Sequence, residues 1–354
     1  MMKIRITTFL LICFSAANAQ DIHFSQYYHS PLTLNPAMTG IIDGDYRFVL
    51  NYRNQWRSVM NYTLPDNRTS YVPFKTISLS YDMHLAPRQI PDGTLGAGIV
   101  IFSDKAGHGD LSNQTVMLSG SYLTSIGPIR NHHLSFGLQT GFVSKSIDYS
   151  KLYFHNQFNG VDGFDMDIKK SKENILGENF NYMDIGIGAA WSHPFTDRIT
   201  ASAGMAMFHI NKPSETFINS QTNKLDSRFV FHGGAEYVLN KKMKILPGIR
   251  YVSQAKDQEL NLGGFATYHL GEATENDIML FGGLWSRMSF RNKNSDALFP
   301  AFGAKYQNWT AGLSYDINVS SLKGIKGGPE IAIIYVGNIF RPMPVKPILP
   351  CTRF

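Results

Sequence analysis

Beyond residue 44 this chain alternates apolar and polar residues with period two through almost its whole length, and no long uncharged apolar run interrupts the alternation. Successive side chains of an extended chain point to opposite faces, so the pattern specifies strands with one apolar and one polar or small face. From Asp45 onward, Tyr46, Phe48, Leu50 and Tyr52 share a face opposite Arg47, Asn51 and Arg53. Over Lys75–Met83, Ile77, Leu79, Tyr81 and Met83 oppose Thr76, Ser78, Ser80 and Asp82. Leu134, Phe136, Leu138 and Phe142 oppose Ser135, Gly137, Gln139 and Gly141, and Met183, Ile185, Ile187 and Trp191 oppose Asp184, Gly186, Gly188 and Ala190.

Two architectures satisfy this alternation. A soluble sandwich buries the apolar face against a second sheet. A membrane barrel turns it to lipid and lines a lumen with the other face. Strand number and connection lengths separate them. Strands are expected at 45–54, 74–85, 94–103, 111–126, 132–147, 181–192, 198–210, 227–238, 243–253, 258–269, 277–288, 298–306, 309–317 and 329–338. That number is even, and most reach the roughly 9–11 residues a tilted membrane strand needs. Alternate connections are long, notably 55–73, 148–180 and 211–226, whereas the intervening ones are short. Short periplasmic turns opposite long outer loops are the pattern of an outer-membrane barrel. The expected fold is therefore all-β, a transmembrane antiparallel β-barrel of the outer membrane with about 14 strands. Aromatics near strand ends (Tyr46, Tyr52, Tyr81, Tyr122, Trp191, Tyr237, Tyr268, Trp285, Trp309) are expected to form interfacial girdles.

The first residues agree with export. Lys3 and Arg5 precede an apolar stretch from Ile6 to Ala17 and an A-x-A site, Ala17-Asn18-Ala19, which reads as a signal peptide over 1–19. Ile12 is too bulky to precede a lipidated Cys13, and Cys13 and Cys351 cannot form a disulfide framework or zinc site. The composition, 17% charged and 13% aromatic, excludes disorder. The net charge of +6 contains no basic run suited to nucleic acid.

Three regions fall outside the barrel pattern over 45–338. Residues 20–44 mix aromatics with Pro31, Pro36 and Gly40 and form a non-strand segment, either disordered or packed as a plug in or beneath the barrel mouth. The tail 339–354 is Pro-rich and carries Arg341, Lys346 and Arg353 without an acid; it reads as disordered or as an extended periplasmic peptide for a partner. In loop 148–180, Asp162, Asp165 and Asp167 are weak candidates for calcium. Lys169, Lys170 and Lys172 beside them favour a self-neutralising loop, so no metal or other cofactor is expected. The chain shows no G-x-S-x-G, H-E-x-x-H, Walker or G-x-G-x-x-G motif, so an enzyme is not expected.

The segment Phe24 to Gly40, FSQYYHSPLTLNPAMTG, resembles the N-terminal signature of the PorP/SprF family of type IX secretion system membrane proteins from Bacteroidetes. Gly44 to Arg47 and Asn51 to Trp56 resemble that family's first strand. Collinear matches follow at Phe208–Pro213, Gln258–Gly263, Asp296–Pro300, Gly312–Asp316 and Gly327–Ile331. The resemblance implies an outer-membrane component that assists export or surface attachment of a partner, such as a gliding adhesin, through its C-terminal sorting domain. It also implies contact with other components of the system, including periplasmic ones. The residues expected to meet partners are Phe24, Ser25, Gln26, Tyr28, Pro31, Asn35, Pro36 and Gly40 in the motif, and Arg341, Lys346 and Arg353 in the tail. Both termini are expected on the periplasmic side. The alternative is an outer-membrane porin or transporter for small solutes. Outer-membrane lipid is a partner in either case, and nucleic acid in neither.

Overall fold

The computed structural model describes residues 24–55, 61–63, 69–71, 74–85, 93–107, 109–128, 131–152, 179–217, 223–272, 277–290, 294–319 and 327–339. Fourteen strands form the barrel: β1 (Tyr46–Gln55), β2 (Phe74–Leu85), β3 (Gly93–Ala106), β4 (Leu111–Ile126), β5 (His132–Ser146), β6 (Asn179–Thr196) and β7 (Ile199–Phe208) make up the first half. The second half is β8 (Arg228–Val238), β9 (Met243–Gln254), β10 (Asp257–His269), β11 (Met279–Ser289), β12 (Asn294–Tyr306), β13 (Trp309–Tyr315) and β14 (Pro329–Gly337). Each pairs antiparallel with its neighbour in sequence, and β14 pairs with β1, with Arg47 opposite Val336. The sheet is closed. Closure is what hydrocarbon demands, since an unpaired strand edge there has no water to satisfy it.

Side chains sort as the alternation requires. Leu50, Leu79 and Ile333 stand in one outward row across β2, β1 and β14, and Ser78, Asn51 and Ala332 form the inward row beside it. Along β4, Val116, Leu118 and Tyr122 are exposed while Thr115, Met117, Ser119 and Ser121 are buried. Leu118, 60% exposed and close to the middle of its strand, faces lipid. Leu118→Arg is expected to lower the unfolding free energy in phospholipid vesicles by about 2–4 kcal/mol. Unchanged stability in denaturant titrations would remove this position from the lipid face.

One rim carries the short turns 197–198, 239–242 and 307–308, together with the start of β1 and the end of β14. The other carries the connections 56–73, 147–178, 209–227 and 316–328. Tyr46, Tyr81, Tyr122, Trp191, Tyr237, Tyr268 and Trp309 gather at the short-turn rim, where Tyr46, Phe48, Tyr81, Tyr335 and Trp309 make ring contacts. Trp285 does not belong to that girdle. It is fully buried and faces the lumen.

Strand ends differ from expectation where local chemistry intervenes. Pro194 does not end β6, because a register shift between Pro194 and Thr196 accommodates it opposite Thr200. The ladder of β13 stops at Tyr315, since the Asp316 carboxylate turns inward to arginines; Ile317–Asn318 then pairs separately with β12. Strand β12 starts earlier, at Asn294, across a bulge between Arg287 and Met288. Within 56–73, Asn61–Thr63 and Thr69–Tyr71 pair as a small hairpin.

Candidate functional site

Residues 24–44 occupy the lumen. Three single turns of helix, Tyr27–His29, Pro31–Leu34 and Pro36–Met38, carry the segment across it. Pro31 and Pro36 each open a turn, the position where proline's missing N–H costs nothing. Asn35 caps the last turn, its Oδ1 accepting from Ala37 N at 2.9 Å. Gly40 has φ +69°, and a Cβ there would lie 2.8 Å from the Cα of Gly96, so both backbone angle and space call for glycine.

Wall and plug fit by omission of side chains. A Cβ on Gly98 would stand 2.9 Å from Leu32 Cδ2, and one on Gly312 2.7 Å from Gln26 Oε1. On Gly137 it would overlap the backbone of Pro36 and Ala37, and on Gly188 the amide of Asn35. The plug's polar atoms meet strands around the barrel. Ser135 Oγ donates to Ala37 O at 2.6 Å, Ser121 Oγ to Thr39 O at 2.6 Å, and Gln139 Nε2 to Leu32 O at 3.2 Å. Asn35 Nδ2 donates towards Ala189 O, Met205 O and His232 Nε2 at 3.0–3.2 Å. A buried backbone group without a partner is costly, and these bonds remove that cost for an irregular segment.

Two ionic clamps hold the ends. At the start, the Glu330 carboxylate accepts from the backbone N–H of Ser25 at 2.8 Å and of Gln26 at 2.7 Å, and Gln26 Nε2 donates to Glu330 O. Ser25 Oγ donates to Asp316 Oδ1 at 2.7 Å. Arg53 and Arg287 bridge these acids, Arg53 Nη2 to Asp316 at 2.7 Å, Arg287 Nη2 to Asp316 at 3.1 Å and Arg53 Nε to Glu330 at 3.6 Å. Arg250 donates to Phe24 O and to Glu259 while its guanidinium lies over the Tyr27 ring. At the far end of the plug, Gly40 N donates to Asp82, whose carboxylate takes a two-pronged bond from Arg47 at 2.7 and 3.0 Å.

Between the clamps, Tyr27 and Tyr28 pack against Trp285, with Phe265, Phe281 and Phe299 completing an aromatic layer. Beneath it, toward the short-turn rim, lies a cavity of about 300 Å³ lined by Leu34, Met38 and Ile41 of the plug and by Lys244, His269 and Lys305 of the wall. Gln26 Oε1 can only accept, so His29 Nδ1 donates the 3.1 Å bond between them.

Of the residues expected to meet partners, Phe24, Ser25, Gln26, Tyr28, Pro31, Asn35, Pro36 and Gly40 are all buried in the plug and turned to the wall. Arg341, Lys346, Arg353, Asp162, Asp165 and Asp167 lie outside the described residues. Arg250, Arg287 and Asp82, which sequence reasoning did not single out as site residues, carry much of the clamping. Their signal was a charge on the face otherwise built of serine, threonine and glycine, where an ion calls for a partner.

A closed antiparallel barrel, apolar outside and filled by its own N-terminal segment, is a plugged outer-membrane β-barrel. Among solved structures it is similar in fold to CymD, a monoaromatic hydrocarbon channel, at 11% identity over 88% of this chain and 93% of that one, TM-score 0.50. The toluene transporter TbuX of Ralstonia pickettii matches at 10% identity over 87% and 92%, TM-score 0.48. TodX of P. putida, another toluene transporter, matches at 12% over 87% and 93%, TM-score 0.48. No curated protein matches. The family model described as type IX secretion system membrane protein PorP/SprF matches residues 16–335. The chain belongs to that family and is a membrane component of type IX secretion.

Proposed function

We propose that this protein works without catalysis, assisting export or surface attachment of a partner through the partner's C-terminal sorting domain. The long connections face outward and hold the partner. The short turns and the tail bearing Arg341, Lys346 and Arg353 face the periplasm and other components of the system. The observation that carries this reading is the filled lumen: a barrel whose interior is hydrogen-bonded to its own N-terminal segment is built as a rigid mount, and a pore for free solute diffusion is disfavoured. Loops on a rigid scaffold are the usual place for binding. Here the foot of the longest loop is braced, with Lys145 paired to Glu215, Lys151 to Asp110 at 2.5 Å, and Asp148 N to Gly109 O at 2.7 Å. Ser150 and Lys151 hold the Asp148 carboxyl below its usual range.

Affinity capture of the tagged protein from native outer membranes, with mass spectrometry, should recover an exported protein and periplasmic components of the system. Deleting 148–180 should abolish surface display of the partner while the barrel still folds. A deletion that leaves display intact, or a lone barrel that conducts small solutes, would sink the proposal.

A further inference from the structure

The cavity of about 300 Å³ beneath the aromatic layer reaches the short-turn rim at Gln307 and Asn308 and has two chemically distinct walls. One is apolar, built by Leu34, Met38 and Ile41 of the plug and by Leu246 and Phe281 of the barrel. The other is a corner of hydrogen-bonding groups. Strand register sets Lys244 of β9 opposite Thr267 of β10. One inward position nearer the rim, it sets His269 opposite Met279 and Met279 opposite Lys305. Thr267 is 5% exposed, and its Oγ1 and His269 Nδ1 are buried without a hydrogen-bond partner among the described residues. Lys244 Nζ donates to Glu236 at 2.8 Å. An ammonium carries three donors, so that bond leaves Lys244 able to meet a second acceptor. Lys305 and Asp277 line the same mouth.

A buried polar atom in a native fold normally has a partner. Water filling the corner would also wet the apolar wall, which favours leaving water. A molecule with an accepting head and an apolar tail satisfies both walls at once. Size sets its length: an apolar cavity of about 150 Å³ takes one benzene ring, so this one suits a chain of about ten to twelve carbons. The cavity is also blind. Tyr27, Tyr28, Phe265, Phe281 and Trp285 close it toward the other rim, so a molecule entering from the short turns is held there and not passed through.

We propose that this cavity binds a single-chain amphiphile with an anionic head, carboxylate or phosphate. The head sits in the corner of Lys244, Thr267 and His269, and the tail lies between the plug and Leu246. The corner selects an anion because Lys244 and Thr267 both donate, His269 presents an N–H in one tautomer, and the Glu236 carboxylate is already turned to Lys244. The proposal requires neither a captured partner nor a given orientation of the barrel, so it stands or falls apart from the partner-holding reading.

Equilibrium dialysis of the protein in phospholipid vesicles, with protein-free vesicles as the blank, tests it. The probes are radiolabelled decanoate, decyl phosphate, decanol, decyltrimethylammonium and butanoate. Decanoate or decyl phosphate should bind saturably at one per chain, the tighter of the two identifying the head. Decanol should bind at least about tenfold more weakly, for want of charge-assisted hydrogen bonds. Butanoate, with the head and little tail, should bind at least about a hundredfold more weakly. Lys244→Gln should weaken the anion about tenfold and leave decanol unchanged. Thr267→Val, which matches the shape of threonine and keeps every charge, should weaken the anion about fivefold. Near-ultraviolet circular dichroism confirms that each variant is folded. Uptake no greater than that of protein-free vesicles overturns the proposal, as does equal binding of decanol or decyltrimethylammonium. Anion binding that survives both Lys244→Gln and Thr267→Val lies elsewhere and overturns it as well.

Discussion

Glu330→Ala is expected to cost about 3–5 kcal/mol and to free the leading end of the plug. The side chain is fully buried, and its two oxygens are the acceptors for the backbone N–H groups of Ser25 and Gln26 while facing Arg53. Removing one member of a buried ionic cluster leaves the others desolvated without compensation, which is why the loss exceeds the worth of any one contact. The variant should unfold at lower temperature, lose near-ultraviolet signal from Trp285, and show flickering conductance in planar bilayers as Phe24 to Tyr28 detach. Wild-type stability together with a silent bilayer would show that Glu330 does not hold the plug.

Gly137→Val attacks the middle of the plug by shape alone. Gly137 faces the lumen on β5, and any Cβ there would occupy the space of the Pro36–Ala37 backbone. The proline ring cannot rotate aside, and Asn35 is tied to β6, β7 and β8. Valine suits a strand, so the wall should form while the turn Pro36–Met38 is displaced. A steady ion-conducting pore and faster proteolysis within 24–44 are the expected results. Gly282→Val is the control, because a Cβ there meets nothing within 4 Å, and its stability should stay within about 0.5 kcal/mol of wild type. Equal behaviour of the two variants would mean that the Gly137 contact does not seat the plug.

Why the strands were legible and parts of the site were not follows from what each face touches. Where lipid lies outside and small polar groups inside, as along β2 and β4, the sequence alternates cleanly and both strands fall at the expected 74–85 and 111–126. Along β11 both faces are apolar, Leu280 and Leu284 toward lipid, Trp285 toward the plug's tyrosines and Phe281 toward His29. The contrast disappears there, and Trp285 reads as a girdle residue until its partner is known. The plug is the reverse case. Pro31, Pro36 and Gly40 announce an irregular segment, yet its partners are serines, glycines and charged residues scattered over strands from 42 to 305 positions away, which no local pattern can register. The clamp on Ser25 needs Asp316 and Glu330 together, a pairing written only in three dimensions.

The separation between Ser25 and Glu330, 305 positions, bears on assembly. The first strand zips to the last, and the segment enclosed by them is bound by residues from the beginning, middle and end of the chain. Contacts of such long range form late and slowly. Local hairpins from β2 to β13 can assemble in any order, but the ring cannot seal until β14 has been made and has found β1. Threading a bulky, kinked peptide into a sealed cylinder would mean stripping water from its backbone in a confined space. Wrapping the sheet around that peptide before the seam closes avoids this barrier. The same segment then serves as a mandrel for the growing sheet, and early truncations should stall as open, protease-sensitive sheets rather than as small barrels.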